Sequence, residues 1–496
     1  MELGLKKLFV LIYISAMGCA ITAQTIIDVP IDYSTIGAAL NASSDGDTIL
    51  VGPGTYQEAI GLPNKSIILA SWFLITQDTN YISQTVLDGG GGSNVINISE
   101  SVATFPTVIG FTIQNADDGI SPHARFNILN CHIINCADGI DYEDGSGGLC
   151  KFNVFENNND DGIDLDGGVD IVIEDNIIRN NHDDGIEIRL QPYNGPLITC
   201  IIRRNFIYGN HEDGIQLIDY DTLSDRFFLI ERNLIYNNDM VGFGCMGGSI
   251  TNENYEGASI LERIFLFNNT FVGNNYGVTG GDSLVAVNNI FTDHPGIAMK
   301  NVDGGSIVSY GIYWNNGTDF ENSNMDNPYI ILSDPLLDDQ FHLQPGSPAI
   351  DAGIDHFIWQ GDTVLNLHSS IYNGTAPDIG VFEFIPAPTN ILTPILRIPH
   401  RFQLYQNYPN PFNAVTKIHF DIPPSRDAGF VNITLVIYDS MGQRIRLLYK
   451  DKLGSGSYEI QWDGTTDFGN NAPSGIYYAV FKTDRFSQTR KLILIK

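Results

Sequence analysis

A motif repeated five times between Asn115 and Asn238 constrains the fold of this chain more than any other feature. Each copy places an aspartate directly before a Gly-Ile pair, and the glycines advance by 20, 23, 23 and 29 residues. That spacing is too long for a hairpin and fits one coil of a solenoid. The copies are Asp117-Asp118-Gly119-Ile120, Asp138-Gly139-Ile140-Asp141, Asp160-Asp161-Gly162-Ile163-Asp164, Asp183-Asp184-Gly185-Ile186-Glu187 and Glu212-Asp213-Gly214-Ile215-Gln216.

A second marker, an asparagine followed by a short apolar segment, recurs at the same pace. Asn and Gly both tolerate the left-handed backbone of a sharp corner, and stacked Asn side chains can bond to each other along an axis. One coil is therefore predicted to run strand, Asn turn, strand, Asp-Gly turn, strand. Because each strand meets its equivalent one coil later, the strands must run parallel, which predicts a parallel β-helix with rungs about 4.8 Å apart. The markers are Asn130, Asn153, Asn176, Asn205, Asn233, Asn269 and Asn289.

Composition divides the chain into four predicted parts. Residues 1–23 combine two lysines, an apolar run and small residues, the pattern of a signal peptide. Residues 24–385 carry the solenoid pattern, residues 386–400 form a linker with several prolines, and residues 401–496 contain the short alternating strands of a small β-sandwich. We therefore predict an exported all-β protein without a transmembrane segment in the mature chain, because no later stretch reaches about 18 apolar residues.

The two large parts differ in charge. Residues 24–400 carry 12 basic and 49 acidic residues, a net charge of −37, whereas residues 401–496 carry 12 basic and 8 acidic residues, a net charge of +4. A part this acidic repels nucleic acid and acidic glycans at long range, so an anionic polymer could approach it only through a bridging cation. We expect no nucleic-acid partner, a monomer, and different partners for the two parts.

Five cysteines follow the predicted signal peptide, and an odd number cannot all pair. The first four fall at different offsets from the Asn markers, and close Cys or His partners for a metal cluster are lacking. We therefore predict that they are small core residues. They are Cys131, Cys136, Cys150, Cys200 and Cys245.

The acidic residues of the repeat align in three columns when the copies are superposed on their glycines. Like charges one rung apart repel by about 0.9 kcal/mol in water and by about 3.5 kcal/mol at an effective dielectric constant of about 20. Repulsion of this size favours a bound cation, and Ca²⁺ takes about six to eight oxygen ligands, which two adjacent coils can offer. Alternation along the strand points the third column outward. The columns are Asp117, Asp160, Asp183 and Glu212; Asp118, Asp138, Asp161, Asp184 and Asp213; and Asp141, Asp164, Glu187 and Gln216.

A simpler interpretation of these columns stays open. Asp-Gly is a favoured corner, and solvated carboxylates in so acidic a protein can be paired with sodium or water. That interpretation accounts for one aspartate per coil but poorly for the acids on either side of it. The prediction is a Ca²⁺ site with ligands at Asp138, Asp160, Asp161, Asp164, Asp183, Asp184 and Glu187.

Motifs in the C-terminal part run in order through residues 406–496. They include Gln406-Asn407-Tyr408-Pro409-Asn410-Pro411-Phe412-Asn413, Trp462-Asp463-Gly464 and Ser474-Gly475-Ile476-Tyr477. This part resembles the C-terminal sorting domain of type IX secretion, and equally the Ig-like domain of flagellar hook-capping proteins. The resemblance implies a secretion address that engages the secretion machinery, and a chain that is secreted or attached to the cell surface.

The solenoid part carries recognisable motifs at both ends. Near its start, Tyr33-Ser34-Thr35-Ile36 and Asp45-Gly46-Asp47-Thr48-Ile49 are similar to the N-terminal cap of pectin-lyase-like right-handed β-helices, where a short helix covers the open end. At the other end, Gln344-Pro345-Gly346-Ser347-Pro348-Ala349-Ile350-Asp351-Ala352-Gly353 resembles a closing segment of bacterial surface β-helix proteins. These resemblances imply a right-handed parallel β-helix and identify no reaction.

A further resemblance bears on the acidic columns. The stretch Asp160-Asp161-Gly162-Ile163-Asp164, with Asp138 one coil earlier, is similar to the Ca²⁺ site of the polysaccharide lyase family nine pectate lyases. The resemblance implies that Ca²⁺ binds a uronate carboxylate while a lysine in a Gly-Phe-Lys-x-Gly-Gly segment removes the C5 proton. The nearest segment here, Gly242-Phe243-Gly244-Cys245-Met246-Gly247-Gly248, contains no lysine. The base is therefore missing or supplied from elsewhere, and Arg189, on the outward face with Glu187, is the predicted catalytic substitute.

The sequence thus predicts a protein that binds Ca²⁺ and an extracellular polysaccharide, with lyase-type cleavage as one outcome. A glycoside hydrolase is less favoured, because its carboxylate pair must not be saturated with metal. The alternative is a non-catalytic surface or adhesion protein with structural calcium. His182 and His211 precede acid pairs and are candidate ligands or bases, although a solvated turn histidine is the simpler interpretation. Loops at 190–197, 219–225 and 249–259 are predicted to wall a groove beside the acidic columns.

Overall fold

The computed structural model describes most of the chain. The described residues fall into two compact units, the first comprising residues up to 335 with 379–381, and the second residues 336–378 with those from 382 onward. The predicted signal peptide, and the predicted linker apart from Pro399, lie outside the described residues. The described residues are 25–99, 103–220, 224–248, 257–369, 371–384, 399, 401–423, 430–454, 456–467, 470–483 and 486–495.

Three parallel sheets make up most of the first unit, and from Thr48–Val51 to Thr318–Glu321 the chain passes in turn through the first, the second and the third sheet. Each strand pairs with the equivalent strands of the neighbouring coils. Ile163, for example, is the register partner of Ile140 in one neighbouring strand and of Ile186 in the other. The predicted parallel β-helix is confirmed. The first sheet consists of Ile26–Val29, Thr48–Val51, Ile68–Ser71, Thr107–Ile109, Arg125–Leu129, Gly147–Lys151, Asp170–Glu174, Ile198–Arg203, Arg226–Glu231, Arg263–Phe267, Leu284–Val287 and Ile307–Ser309. The second consists of Gly54–Tyr56, Thr85–Gly92, Thr112–Ala116, His132–Ile134, Val154–Glu156, Ile177–Arg179, Phe206–Tyr208, Leu234–Tyr236, Thr270–Val272, Ile290–Thr292, Gly311–Trp314 and Ile330–Ile331. The third consists of Ile60–Gly61, Ile96–Ile98, Ile120–Pro122, Ile140–Tyr142, Ile163–Asp166, Ile186–Leu190, Ile215–Asp219, Val241–Gly247, Tyr276–Thr279, Ile297–Lys300 and Thr318–Glu321.

The isoleucine of the repeated motif forms the core side of the third sheet. Ile140, Ile163, Ile186 and Ile215 are register partners in consecutive coils and are fully buried in one hydrophobic core. Burying a side chain of this size stabilises the fold by about 1.5–3 kcal/mol. The residue after each isoleucine therefore has to lie on the opposite face of the sheet, which is where the third acidic column lies.

Two buried asparagine ladders run along the corners on either side of the second sheet. In each ladder an Oδ1 atom accepts the backbone N–H and the side-chain N–H of the asparagine one coil earlier, at 2.8–3.2 Å. These bonds satisfy corner groups that would otherwise be buried without partners. The first ladder consists of Asn153, Asn176, Asn205, Asn233, Asn269 and Asn289, and the second, which the sequence markers missed, of Asn158, Asn181, Asn210, Asn238 and Asn274.

Asn130 is a correction to the marker assignment. It is the left-handed corner residue of its coil, with φ of 54°, and the next residue, Cys131, takes the ladder position by donating its N–H to Asn153 at 2.9 Å. Cys136 takes the equivalent position in the second ladder, donating to Asn158 at 3.2 Å. All five cysteines that follow the predicted signal peptide are buried, as predicted.

Helices are short in the part of the chain that the structure describes. Ile36–Ala42 begins after Thr35, whose Oγ1 accepts the N–H of Ala38 at 3.2 Å, and it buries Ile36 in the solenoid core. This is the short helix that the resemblance of the N-terminal cap implies. None of the described helices has the length and apolar content needed to cross a membrane. The other helical segments are Phe73–Thr76, Asn80–Gln84 and the 3₁₀ turn Asn327–Tyr329.

The second unit contains antiparallel sheets around a core that includes Trp462, Phe420 and Phe481. The expected β-sandwich is confirmed, but the strand Arg444–Gly454 was not predicted. Four of its residues are arginine or lysine, which obscures the alternation of apolar residues. One sheet consists of Gln403–Leu404, Thr416–Ile422 and Gly456–Trp462, another of Phe430–Asp439, Arg444–Gly454, Gly475–Thr483 and Phe486–Leu494, and a separate pair of His356–Trp359 and Asp362–Asn366.

Candidate cation site

A ladder of aspartates runs along the corner that precedes the third sheet. Each of them accepts, with Oδ1, a backbone N–H from the next coil at 2.7–2.9 Å. The glycine that follows makes this close approach possible, because a Cβ on Gly162 would lie 2.6 Å from the carbonyl oxygen of Gly185. The ladder fixes the orientation of each carboxylate through one oxygen. Its members are Asp138, Asp161, Asp184 and Asp213.

The third predicted column is also in register. Asp141, Asp164, Glu187 and Gln216 are partners in consecutive strands of the third sheet. They alternate with core residues, as expected, but Asp164 is only 3% exposed and Glu187 only 8%. Neighbouring side chains, Arg189 among them, cover this face, so these carboxylates are largely withdrawn from water.

Carboxylates from the corner and from the strands converge into one cluster. Three overlapping trios have ligand oxygens within 4.8 Å of one another: Asp160, Asp161 and Asp183; Asp161, Asp164 and Glu187; and Asp141, Asp164 and Asp166. We call these seven residues the acidic cluster. Five of the seven predicted metal ligands belong to it.

Two predicted ligands lie outside these trios, and two members of the cluster were missed. Asp138 and Asp184 each use Oδ1 in the aspartate ladder and belong to none of the trios. Asp141 and Asp166 were not predicted as ligands. Asp141 stands in the third column and Asp166 two residues beyond Asp164, so register within the repeat was the signal that could have found both.

Burial and mutual repulsion disfavour the charged form of the carboxyl groups in the cluster. Burial, with the charges of Glu187 and Asp138, raises the pKa of Asp161 well above its ordinary value. Burial likewise raises the pKa of Asp164 to about 9 and that of Glu187 to about 7, although Arg189 lowers both. Burial and the neighbouring Glu212 raise the pKa of Asp183 to about 6. Each shift records a penalty on the charged form that a bound cation would relieve.

Two buried oxygens of the cluster have neither a hydrogen-bond nor an ion-pair partner among the described residues. They are Oδ1 of Asp164 and Oδ1 of Asp141, which are register partners in adjacent strands. Carboxylate oxygens withdrawn from water without partners are energetically unfavourable unless a cation binds them. The donor set consists only of oxygen, which suits Ca²⁺ rather than a softer metal. The residues therefore fit a calcium ion.

Arg189 lies within the acidic cluster. Its guanidinium pairs with Oδ2 of Asp164 at 2.5 Å, with Oδ1 of Asp166 at 3.5 Å and with Oε1 of Glu187. Burial lowers its pKa, but the surrounding carboxylates outweigh this and raise it above the ordinary value. A raised pKa disfavours the neutral guanidine that a catalytic base requires, and the assignment of Arg189 as base stays a prediction.

Gly244 continues the third column. It stands where the resemblance to polysaccharide lyase family nine would place the lysine base. It is the register partner of Gln216. A Cβ added at Gly244 would overlap Oδ2 of Asp213, the last member of the aspartate ladder. The ladder therefore fills the space that a side chain at this position would need.

One predicted histidine and one predicted loop lie beside the cluster, since the charge of His182 acts on Asp160 and Asp183. The rings of His182 and His211 are 5.2 Å apart, and both side chains are exposed and outside the three trios. In the loop after the strand Ile186–Leu190, Gln191 donates to Asp166 at 3.2 Å. The predicted loops at 219–225 and 249–259 extend partly outside the described residues.

Comparison with known families identifies both parts of the chain. Residues 77–223 and 119–325, two overlapping segments, match the family described as right handed beta helix region. Residues 408–485 match the FlgD Ig-like domain. The first match agrees with the resemblance to right-handed β-helices, and the second with the resemblance to the Ig-like domain of flagellar hook-capping proteins. The resemblance to the type IX sorting domain stays a prediction. No curated protein sequence matches this chain.

Several solved structures are similar in fold. Pectate lyase Pel9A is 14% identical, with 73% of this chain and 97% of that chain covered and a TM-score of 0.41. The A-module of Azotobacter vinelandii mannuronan C-5 epimerase AlgE6 is 15% identical, with 60% and 94% covered and a TM-score of 0.38. PorZ, a surface component of the type-IX secretion system of Porphyromonas gingivalis, is 24% identical over 19% of this chain and 11% of its own, with a TM-score of 0.13. At these identities the likeness concerns the fold alone.

Proposed function

This chain belongs to the right-handed β-helix family, and we propose that it binds Ca²⁺ at the acidic cluster and, through that ion, an extracellular anionic polysaccharide. The observation that carries the proposal is the trio of Asp161, Asp164 and Glu187. Their ligand oxygens lie within 4.8 Å of one another, and all three residues are less than a tenth exposed. One arginine does not neutralise three adjoining carboxylates, so the cluster retains affinity for a divalent cation.

The position of the cluster supports a ligand beyond the metal. Asp160 is exposed at the rim, whereas Asp161 is buried beneath it, so an ion bound between them would keep coordination positions toward solvent. A carboxylate or hydroxyl group of a polysaccharide can occupy such positions. A solenoid also presents its coils as a long repetitive face, and solenoids bind extended ligands on the side where loops lengthen.

Charge makes binding of an acidic polysaccharide dependent on the bound ion. At −37 for residues 24–400, the β-helix part repels polyanions unless a cation bridges the two partners. Binding should therefore require Ca²⁺ and be lost with a chelator. The loop residue Tyr193, whose hydroxyl donates to the carbonyl of Pro196 at 2.9 Å, lies in the same loop as Gln191, which contacts Asp166 of the cluster.

Binding without cleavage is the form of this function that the residues favour. Gly244 has no side chain that could act as a base, and the ion pairs of Arg189 keep its guanidinium protonated. Lyase-type cleavage is the second candidate, and the presence of Arg189 among the proposed ligands is the observation that favours it. In that case Arg189 would act as the base after losing its proton.

Calorimetry and a binding assay on the full chain would test the proposal. Titration with CaCl₂ should show saturable binding that Asp164→Asn weakens by about tenfold or more, equivalent to ~1.4 kcal/mol or more. Asp170→Asn, at a half-exposed carboxylate paired with Arg125, is the matched control and should leave binding unchanged. Polygalacturonate and alginate should then be retained with Ca²⁺ and released with EDTA, whereas a neutral glucan should not be retained. Absence of Ca²⁺ binding in the wild type would refute the proposal.

The same samples would decide between binding and cleavage. A lyase introduces a double bond into the product, which absorbs in the ultraviolet. We expect no increase in absorbance with either acidic polymer. An increase that requires both Ca²⁺ and Arg189 would instead establish the lyase.

We further propose that residues 401–496 direct the chain to an export pathway that places it at the cell surface. The match of residues 408–485 to the FlgD Ig-like domain and the predicted signal peptide at residues 1–23 support this proposal. A reporter that carries residues 1–23 at its N-terminus and residues 401–496 at its C-terminus, expressed in a bacterium that has type IX secretion, would test it. Retention of the reporter inside the cell would contradict it.

A further inference from the structure

Arg189 occupies the place that a metal ion would compete for. It reaches Asp164 at 2.5 Å and Glu187, two of the three carboxylates in the most buried trio of the cluster, and Asp166 at 3.5 Å in the neighbouring trio. Its own side chain is 32% exposed, so it approaches the buried carboxylates from the solvent side.

A guanidinium and a divalent ion cannot both hold these oxygens closely. The guanidinium uses Oδ2 of Asp164 and Oε1 of Glu187, whereas Oδ1 of Asp164 is buried without a partner in the described part of the chain. An ion bound to Asp164 and Glu187 would lie within a few ångströms of the arginine, where two positive charges repel strongly because little water screens them. Binding the ion therefore favours departure of the arginine.

We propose that Arg189 is a tethered counter-cation that exchanges with the metal. In the metal-free chain it neutralises Asp164 and Glu187, and when Ca²⁺ binds it swings outward and presents its guanidinium to an anionic group of the bound ligand. This inference rests on the proposed function, whose site it deepens. The exchange ties recognition of the anion to occupation of the cation site, since the guanidinium is engaged by the protein whenever the metal is absent.

The geometry of the strand is compatible with this movement. Arg189 follows Glu187 by two residues in Ile186–Leu190, so both side chains lie on the outward face, and the loop that begins there leads to Gln191. A released guanidinium would lie beside the ion and could form the bidentate pair with a carboxylate that arginine favours. Arg189 would then be a positioning residue for the anion rather than a base.

Chemical modification of the wild-type protein would test the exchange directly. Phenylglyoxal attacks accessible guanidinium groups, and peptide mapping by mass spectrometry reports the rate at each arginine. We expect Arg189 to react several-fold faster with CaCl₂ than with EDTA. Arg204 is the matched control, because it also pairs with two carboxylates, Glu174 and Asp175, at 2.8 Å and is 36% exposed, but lies away from the acidic cluster. Its rate should not change.

Calorimetry with CaCl₂ provides a second measurement. Arg189→Gln removes the competing charge and should tighten Ca²⁺ binding by about tenfold or more, equivalent to ~1.4 kcal/mol or more. Arg189→Lys keeps the charge and should bind Ca²⁺ about as the wild type does. Arg204→Gln should leave the affinity unchanged. Circular dichroism confirms that each variant is folded, and the modification experiment on the wild type stands on its own if Arg189→Gln is not.

The outcomes separate this inference from the function on which it rests. If the wild type fails to bind Ca²⁺, the proposed function fails. If the wild type binds Ca²⁺ but Arg189→Gln binds it equally or more weakly, or if Ca²⁺ leaves the reactivity of Arg189 unchanged or lowers it, the exchange is refuted while the cation site stands.

Discussion

Asp161 and Asp184 stand one coil apart and are joined by a hydrogen bond in which the N–H of Asp184 donates to Oδ1 of Asp161 at 2.8 Å. Both residues are at most 3% exposed, and burial together with repulsion from neighbouring carboxylates raises the pKa of each well above its ordinary value. The bond that orients the carboxylate thus also holds it where its charge is unfavourable. This is a site whose stability should depend on a cation.

Asp161→Asn tests that dependence. The amide keeps Oδ1 for the N–H of Asp184 and cannot take up the negative charge that burial disfavours, so in EDTA we expect the variant to be more stable than the wild type by about 1–2 kcal/mol. In CaCl₂ the order should reverse, because the variant loses a metal ligand. Thermal melting in both buffers measures the effect.

Asp170→Asn is the control for this comparison, since its carboxylate is half-exposed and pairs with Arg125 outside the cluster. We expect it to differ little from the wild type in either buffer. If Asp161→Asn were destabilised in EDTA, repulsion between the carboxylates would not control the stability of the metal-free cluster.

The stability of the metal-free protein should fall as pH rises. Burial raises the pKa of Asp138 and of Glu187 to about 7 and that of Asp164 to about 9, whereas the same groups titrate near 4 in the unfolded chain. The folded state therefore binds protons more tightly, so the stabilisation is present below about pH 4 and is lost as pH rises to about 9. Melting temperature in EDTA should decline across this window.

Calcium should flatten that pH profile, because the ion favours the charged carboxylates that repulsion otherwise penalises. A profile that is the same in EDTA and in CaCl₂ would contradict the assignment of the cluster as a cation site.

Glu174 contributes to stability with the opposite pH dependence, and its effect falls at low pH. Burial raises the pKa of Glu174, but hydrogen bonds from Lys151 and Arg203 prevail and lower it to about 2, so its stabilisation is lost as pH falls toward that value.

The register of the acidic columns could be predicted because the repeat itself sets it. Superposing the glycines places Asp164 beside Glu187, and the strands pair in that register. The burial of Asp164 could not be predicted in this way, since it depends on where Arg189 directs its side chain. Sequence alternation assigns a face of the sheet but not what covers that face.

The second asparagine ladder was predictable in principle. Asn158, Asn181 and Asn210 each stand three residues before the aspartate of an Asp-Gly pair, a constant offset within the repeat. The prediction was based on the other asparagine marker and therefore did not include this ladder. The marker assignment is wrong at Asn130 for a different reason. The ladder position of that coil is one residue later and is held by Cys131, and the spacing of the asparagines does not predict a cysteine there.

Asn205→Ala should be strongly destabilising. Oδ1 of Asn205 accepts two bonds from Asn176, and its amide donates to the carbonyl of Ile173 and to Asn233. Removing the side chain leaves buried donors and acceptors without partners, at about 1–3 kcal/mol for each such group. We expect a loss of at least about 2 kcal/mol in urea unfolding. Asn194→Ala, at an exposed loop position, is the control and should be close to neutral.

Gly244→Ala tests whether the third column can hold a side chain where the resemblance would place a lysine. The new Cβ would overlap Oδ2 of Asp213, so we expect destabilisation of about 1–3 kcal/mol from overpacking. Gly61→Ala, in the same sheet at a position where an added Cβ would meet nothing within 4 Å, is the matched control and should change stability by less than about 0.5 kcal/mol.

Gly244→Lys should be at least as destabilised and should gain no lyase activity on polygalacturonate, because the displaced Asp213 disturbs the ladder that orients Asp184 and Asp161. A stable Gly244→Lys protein that cleaves the polymer would instead mean that the column tolerates a base and that only the lysine separates this chain from a lyase.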